Sequence, residues 1–540
     1  MATTLRRLVS VVALCVASSG SHRLSPLASL VPTLRQSLQE IADAEAKKYG
    51  CAFAIALRGA NGVAVEASSG AGKAGAKAMF AWGSVTKLVT GVSIIRLANE
   101  GVLSLDETVA PILDPYWVKH GDLNVTMVGM FGEAAKRVTI RHLATMMAGV
   151  PDFDTAKPNE TDFARSTDPF RATCYAQQWK DWSPYDLLSL PWVSNGTMVF
   201  EPGTQKAYSS TNFMLLGFVL AAKANGGAGV PWDHLDQLAF RPPHETALLN
   251  HSLFARHGAP SPTFVSLDAF DRTSYNGHNA SARPGTDVSA VHGVFGGWTA
   301  SDIVAPVADI AQLAFDIFGP QSASSLVSAE NISMMVNASQ EWYGFATFLL
   351  SAFTGMPTDA PTGVDYGTCW GHLGATYGAF GACLSRAVCC CCYCVLCPVT
   401  LCVRTVSISP RSPLCVLTLL PAPGWNSVVQ FTPGTNTTIA VATNVETNEQ
   451  AGPSDAYCIT YNRVRQLVKR ELARRVDATS AAASKPIEDC EYVASGYFGT
   501  CVCPGTFYHC EMSHDGSGGK RCVISYFANQ TYADCAVGCK

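Results

Sequence analysis

A hydroxyl and an amine three residues apart, Ser84 and Lys87, form the pattern with the clearest chemistry in this chain. They lie in Phe80-Ala-Trp-Gly-Ser-Val-Thr-Lys-Leu-Val-Thr, at the head of a predicted helix, where this spacing puts both side chains on one face. A serine becomes a good nucleophile when a neighbouring base takes its proton, and a desolvated lysine can be that base. The pair therefore predicts serine acyl-transfer chemistry.

The context of this pair matters, because Ser-x-x-Lys also occurs by accident. Gly83 allows a tight entry into the helix, and apolar residues then recur at helical spacing to bury one face: Leu88, Val92 and Ile95. A second match, Ser517-Gly-Gly-Lys520, lies in a glycine-rich and cysteine-rich tail. We interpret this second match as a surface loop without chemistry.

Composition and the N-terminal segment indicate a secreted protein. The 540 residues allow one large catalytic domain and a smaller module, and the net charge of −4 gives no reason to expect nucleic acid or an anionic membrane as partner. Residues 1–21 contain two arginines, an apolar run and small residues, which predicts a signal peptide and an oxidising compartment. Nine Asn-x-Ser/Thr sequons agree with secretion and predict a glycoprotein, and no membrane span is predicted.

The order of predicted elements favours an α+β fold. Helices are predicted over 34–49 and 454–476, and an irregular helical region covers 109–232. Strands are predicted near both ends of this unit: 51–58, 63–67, 342–350, 368–377, 425–431 and 438–444. This order predicts an antiparallel sheet closed by the two termini, flanked by helices, with a helical subdomain inserted between them.

Four further stretches carry family patterns. Val138–Phe153 is similar to a segment usually reading TIRHLLTHTSGLPDY, and Phe200–Gly217 to a block with a Tyr-x-Asn motif. Gly371–Thr376 is similar to a Lys-Thr-Gly or His-x-Gly motif, and Gly296–Asp302 to a GGLVSTADD turn. With the Ser-x-x-Lys pair, residues 34–476 resemble the serine β-lactamase and D-alanyl-D-alanine carboxypeptidase superfamily, in its class C-like branch. The resemblance implies a β-lactamase/transpeptidase-like fold.

The resemblance also implies roles for three matching side chains. Ser84 would attack a carbonyl carbon and form an acyl-enzyme, and Lys87 would hold or accept the serine proton. Tyr208 would shuttle protons between the serine, the leaving group and the deacylating water. A phenol titrates near about 10, so this role requires nearby cationic charge to favour phenolate, which Lys87 could supply.

Substrate contacts are implied in the same way. The backbone N–H groups of Ser84 and Ala375 would form an oxyanion hole. His372 and Gly374 would line the pocket from the strand edge, with His372 orienting a substrate carboxylate or carbonyl. The implied partner is a small-molecule or peptide substrate, and neither a metal nor an organic cofactor is expected.

One position departs from the family pattern. The residue two positions after Tyr208 is Ser210, where the family has Asn. An amide offers both a donor and an acceptor to the substrate and the lysine, whereas a serine does this in part or through water. Asn212 is near in sequence but faces elsewhere if the segment is helical. Turnover of β-lactams or peptides is therefore less expected than hydrolysis of esters or small amides.

Residues 382–424 interrupt the pattern between two predicted strands. Cysteines cluster here, and removing the segment would join Gly378–Gly381 directly to Trp425. We interpret the segment as an intron translated in frame. A zinc site and a palmitoylated loop are the alternatives, although paired ligand knuckles are lacking.

The C-terminal part has its own composition. Residues 477–486 form a linker of small residues, and 487–540 contain seven cysteines, which predicts a small disulfide-rich module. One of the seven would pair with Cys458 or Cys51. A glycan-binding or matrix-attachment role and a passive cap are both open.

The sequence thus predicts a secreted serine hydrolase that cleaves an amide or an ester through an acyl-enzyme on Ser84. A carboxylesterase of the same fold is one alternative. A catalytically degenerate, glycosylated binding protein is the other, favoured by Ser210 and by the inserted segment.

Overall fold

The computed structural model describes most of the predicted catalytic unit. The described residues are 26–70, 80–121, 125–154, 170, 177, 180, 182–235, 253–254, 297–319, 327–336, 342–349, 369–376, 425–444, 451–476, 491–493, 500–502, 508–512 and 520–524. The predicted signal peptide, the 382–424 insertion, the 477–486 linker and Ser517 lie outside the described residues.

Twelve strands occur among the described residues. They are β1 (Phe53–Gly59), β2 (Val63–Ser69), β3 (Phe80–Ala81), β4 (Leu253–Phe254), β5 (Ile303–Ala305), β6 (Trp370–Thr376), β7 (Trp425–Thr432), β8 (Thr437–Thr443), β9 (Glu491–Val493), β10 (Thr500–Val502), β11 (Tyr508–Met512) and β12 (Lys520–Ile524).

The α-helices of the described residues range in length from 4 to 26 residues. They are α1 (Pro26–Ser29), α2 (Val31–Tyr49), α3 (Thr86–Asn99), α4 (Ala110–His120), α5 (Met127–Phe131), α6 (Ile140–Ala144), α7 (Pro184–Leu188), α8 (Thr211–Lys223), α9 (Val307–Phe318), α10 (Ala329–Met335) and α11 (Ala451–Val476). Among these residues no helix is long and apolar enough to cross a membrane.

The main sheet has five antiparallel strands in the order β2-β1-β8-β7-β6. The N-terminal strand β1 pairs with the C-terminal strand β8, with Phe53 opposite Thr443 and Gly59 opposite Thr437. This pairing confirms the prediction of an antiparallel sheet closed by the two ends of the catalytic unit. Strand β6 lies at the edge of the sheet, and this position decides its role in the site.

Helices cover both faces of the sheet. On one face, α2 and α11 enclose a core with Leu38, Ile55 and Val464. On the other face, α9 packs against the sheet in a larger core that also includes α3 and α8. Every residue of β1 and β8 is buried, because central strands between two helical layers need apolar residues on both faces. The predicted mixed fold with helices inserted between the strands is confirmed.

One predicted strand is not a strand. Residues 342–349 form a tight loop with isolated bridges between Tyr343 and Phe348 and between Phe348 and Gly371. The loop reverses at Ala346, whose φ of 53° lies in the left-handed region and breaks an extended run. Its return segment pairs with the outer edge of β6, since Phe348 and Gly371 exchange N–H···O bonds of 2.8 and 3.1 Å.

Among the described residues of the tail, β9 pairs with β10 and β11 pairs with β12, each in antiparallel orientation. The predicted disulfide-rich character of 487–540 depends on side chains outside the described residues. Cys458, a residue of α11 proposed as a partner for a tail cysteine, is disulfide-bonded.

Candidate active site

Ser84 lies at the entry to helix α3, in the short 3-10 turn Gly83–Val85. Gly83 has a φ of 51°, which a glycine adopts without strain, and the Thr86 hydroxyl donates to the Gly83 carbonyl at 2.7 Å. Lys87 follows in the first turn of the helix and is fully buried, whereas Ser84 is half-buried. The Lys87 Nζ lies 2.8 Å from the Ser84 Oγ. The structure therefore brings the predicted nucleophile and base together.

The Lys87 amine has two further acceptors. It donates to the carbonyl of Ala300 at 2.9 Å and to the Ser210 Oγ at 3.2 Å. Burial lowers the pKa of Lys87 from 10.5 to about 8, and the charges of Asp154, Asp152 and Asp302 oppose this shift. An amine with this pKa is neutral in an appreciable fraction of molecules near neutral pH, as a general base requires.

Tyr208 also belongs to this cluster. Its ring lies 5.1 Å from the Lys87 Nζ and stacks on Phe348 at 5.9 Å between centroids. Burial raises the pKa of Tyr208 well above 10, although hydrogen bonds with Ser84 and Ser210 act in the opposite direction. The prediction of a phenolate at Tyr208 is therefore wrong, because desolvation and the charges of Asp154 and Asp152 raise this pKa. Tyr208 is a neutral hydroxyl beside the nucleophile, so it can act as a proton donor but not as a resting base.

Ser210 occupies the position of the family amide, immediately before helix α8. Its hydroxyl accepts from Lys87, as one half of an amide would. Two carboxylates hold it: Asp152 accepts from the Ser210 N–H at 2.9 Å, and Asp154 accepts from its hydroxyl at 3.4 Å. Asn212 faces elsewhere, as predicted for a helical segment, and donates to the Met146 Sδ at 3.4 Å.

The edge strand β6 brings its backbone to the nucleophile. Gly371 uses its N–H and C=O on the outer edge, toward Phe348, and alternation along a strand directs the same groups of Ala375 to that edge. A Cβ on Gly83 would lie 2.8 Å from the Ala375 N and 2.4 Å from its O. At Gly374, a Cβ would lie 2.0 Å from the Trp82 O. The backbone of Ala375 therefore lies against the Gly83-Ser84 turn, as an oxyanion hole requires.

His372 does not have the predicted orientation toward a substrate. The residue is fully buried, and burial holds its pKa well below the usual value, so the ring is neutral. Its Nδ1–H donates to the Leu373 carbonyl at 2.5 Å, and its Nε2 accepts from the Tyr343 hydroxyl at 3.1 Å. Both nitrogens are thus used inside the protein, because the 342–349 loop covers this part of β6.

The sequence match agrees with this geometry. The protein-family model described as Beta-lactamase matches residues 38–387. The chain belongs to the Beta-lactamase family. This confirms the resemblance predicted from the motifs. The matched region contains Ser84, Lys87, Tyr208 and Ala375.

Several solved structures are similar to this Beta-lactamase family chain. A D-stereospecific amidohydrolase from Streptomyces sp. aligns with a TM-score of 0.47 and 17% identity, over 78% of this chain and 98% of its own. A D-amino acid amidase from Ochrobactrum anthropi SV3 aligns with a TM-score of 0.48 and 16% identity, over 83% of this chain and 100% of its own. An octameric penicillin-binding protein homologue from Pyrococcus abyssi aligns with a TM-score of 0.47 and 14% identity, over 92% of this chain and 98% of its own. Family membership follows from the sequence match.

Four contributors to the Beta-lactamase family site were not predicted individually: the carbonyl of Ala300 and the carboxyl groups of Asp152, Asp154 and Asp302. Asp302 is buried, and burial raises its pKa well above the usual range. All except Asp154 lie within stretches that resemble the family, and Asp154 follows directly after Phe153. The sequence marked the segments, but only the folded chain shows which atoms face Lys87.

Proposed function

We propose that this chain is a serine hydrolase that cleaves esters and small amides through an acyl-enzyme on Ser84. The observation that carries the proposal is the 2.8 Å contact between the buried Lys87 Nζ and the Ser84 Oγ. A lysine with a pKa of about 8 is a competent base for a neighbouring hydroxyl.

The reaction follows from this arrangement. Lys87 takes the Ser84 proton while the Oγ bonds to the substrate carbonyl carbon, and the oxyanion accepts from the backbone N–H groups of Ser84 and Ala375. The bond to the leaving group then breaks as Tyr208 donates its proton to that group, and the proton held by Lys87 restores the phenol. A water molecule releases the acyl group by the same transfers in reverse order, with Ser84 as the final proton acceptor.

Ser210 favours esters among the substrates. A serine hydroxyl that accepts from Lys87 and donates to Asp154 has no amide N–H and C=O pair for a substrate amide. Alcohols are also easier leaving groups than amines, so an ester depends less on such contacts. We therefore expect Ser210→Asn to raise the ratio of amide to ester turnover.

Turnover of a substrate panel tests this proposal. We expect p-nitrophenyl acetate to be hydrolysed fastest, phenylalanine amide more slowly and a penicillin slowest. Ser84→Ala should abolish turnover. The matched control is Ser93→Ala, which changes another serine of α3, one that donates to the Val89 carbonyl at 2.9 Å, and should leave turnover unchanged. A folded chain that hydrolyses none of these substrates would instead support a non-catalytic binding protein.

We also propose that the protein acts outside the cell. The leader-like residues 1–21, the sequons and the cysteine-rich tail support this location. Substrates would then be small extracellular esters or amides.

A further inference from the structure

A short series of hydrogen bonds leads from the Lys87 amine to a carboxylate without an assigned role. The Lys87 Nζ lies 3.2 Å from the Ser210 Oγ, which lies 3.4 Å from the Asp154 Oδ2. The backbone of Ser210 is fixed separately, because its N–H donates to Asp152 at 2.9 Å. The direction of the Ser210 hydroxyl hydrogen therefore depends on its own acceptors, the Asp154 carboxylate and the Tyr208 oxygen.

The hydrogens of a neutral lysine make this direction important. A neutral amine has two N–H donors and one lone pair, and the lone pair must face Ser84 to take its proton. The Ala300 carbonyl, 2.9 Å away, can only accept, so it uses one N–H. The second N–H goes to Ser210 only if the Ser210 hydrogen points elsewhere. The Asp154 carboxylate accepts that hydrogen more strongly than the neutral Tyr208 hydroxyl would.

We propose that Asp154 is a positioning residue for proton transfer from Ser84. By accepting the Ser210 hydrogen, it makes Ser210 an acceptor for Lys87 and directs the lysine lone pair toward the nucleophile. An amide oxygen at position 210 would accept from Lys87 without such help. The carboxylate is thus needed because this chain has a serine there. This inference rests on the proposed function.

Asp154 also acts through its charge. Among the described residues, the titratable groups that face Lys87 are the carboxyl groups of Asp154, Asp152 and Asp302. The side chains of Tyr208 and His372 also face it, and both are neutral. Asp154 is the leading group among those that raise the pKa of Lys87 against burial. Removing its charge therefore lowers that pKa and extends the pH range in which the amine is neutral.

The rate at which a fluorophosphonate labels Ser84, followed over about pH 5–10, tests both effects. For Asp154→Ala we expect a plateau rate about 10- to 100-fold lower, and an acid limb shifted down by about one pH unit. Asp154→Asn should show the same shift but keep most of the plateau rate, because its amide oxygen still accepts. The control Asp106→Asn removes an exposed carboxylate that pairs with Arg141, and should change neither.

A double-variant cycle tests the route through Ser210. If Asp154 acts on the plateau through this hydroxyl, Asp154→Ala should lower the plateau no further in a Ser210→Ala background. The inference would be overturned if the double variant lost plateau rate by the product of the two single losses. It would also be overturned if the acid limb moved in neither Asp154→Ala nor Asp154→Asn. A plateau rate that is kept in Asp154→Asn distinguishes a positioning role from general misfolding, which both Asp154 variants would share. A wild-type chain that is not labelled at all contradicts the proposed function itself, and this inference with it.

Discussion

At the scale of single residues, the burial of the Lys87 amine lowers both its pKa and the stability of the folded protein. The folded protein holds this amine in a buried site where its pKa is about 8, against 10.5 in the open chain. Between these two values the unfolded chain binds more protons than the folded one, so the free energy of unfolding falls as the pH is lowered. Above about pH 10.5 the amine is neutral in both states and burying it destabilises the protein least. The destabilisation grows as the pH falls to about 8. Below about pH 8 the amine is charged in both states, so the destabilisation stays constant.

Lys87→Met should remove this pH dependence. We expect the free energy of unfolding of the variant, relative to wild type, to shift in its favour by about 3 kcal/mol between pH 10.5 and pH 7, because Met carries no proton to lose. Urea unfolding of both proteins at the two pH values measures the change. An equal difference at both values would mean that Lys87 is not desolvated as the structure shows.

At the scale of elements, the close approach of β6 to the Gly83–Val85 turn builds the site. A Cβ at Gly83 would meet the Ala375 backbone, which cannot move without shifting the strand. Gly62, in the turn between β1 and β2, has a similar positive φ of 73° but open space around it. An alanine at either glycine introduces backbone strain, but only an alanine at Gly83 also disturbs the contact with β6. Comparing the two variants therefore distinguishes these effects.

Gly83→Ala should lose activity about 100-fold or more, because it displaces one of the oxyanion N–H groups. Gly62→Ala should cost a comparable amount of backbone strain, about 1 kcal/mol, and leave activity unchanged. Ester turnover and thermal unfolding of both variants measure this. Equal activity in the two variants would show that the Ala375 backbone is not part of the site.

The pairing of β6 with β7 predicts that the protein can fold without residues 382–424. Thr376 and Trp425 lie directly opposite each other in the pairing register, so the intervening chain starts and ends at the same point of the sheet. Deleting 382–424 leaves residues 377–381, five residues, which is an ordinary length for a hairpin loop.

We expect the chain without 382–424 to fold with the same sheet and to keep ester turnover within about two-fold, because loop length changes stability only slowly. Circular dichroism and turnover of the shortened chain are the measurements. As a control, deleting a segment of the same length that includes β8 should prevent folding. Loss of the fold on removing 382–424 would show that this segment has a structural role.

At the scale of the whole molecule, the proposed secretion predicts glycosylation. Asn195 is an exposed sequon residue, whereas several other sequons fall outside the described residues. The full chain expressed in cells with a secretory pathway should appear in the medium and lose mass on treatment with an N-glycosidase. Asn195→Gln should lose one glycan's mass, and a chain starting at residue 22 should stay inside the cell without glycan. An intracellular, unglycosylated full chain would contradict secretion.

The sequence predicted the fold and the proximity of Ser84, Lys87 and Tyr208 better than it predicted the surroundings of these three residues. Helical spacing placed Lys87 beside Ser84, and the order of strands predicted the pairing of β1 with β8. The burial of His372 and the neutral state of Tyr208 depend on the 342–349 loop and on carboxylates that approach from other segments. Such contacts between distant parts of the chain leave no local pattern. The strand predicted at 342–350 failed because a tight reversal at Ala346 breaks it.

The most direct test of the account is to trap the acyl group on the protein. The chain is mixed with p-nitrophenyl acetate, quenched in acid during turnover, digested and mapped by mass spectrometry. We expect one acetyl group on the peptide that contains Ser84, and none in Ser84→Ala. An acetyl group on the Ser517 peptide, or turnover without any covalent adduct, would contradict the claim that Ser84 and Lys87 form the catalytic pair.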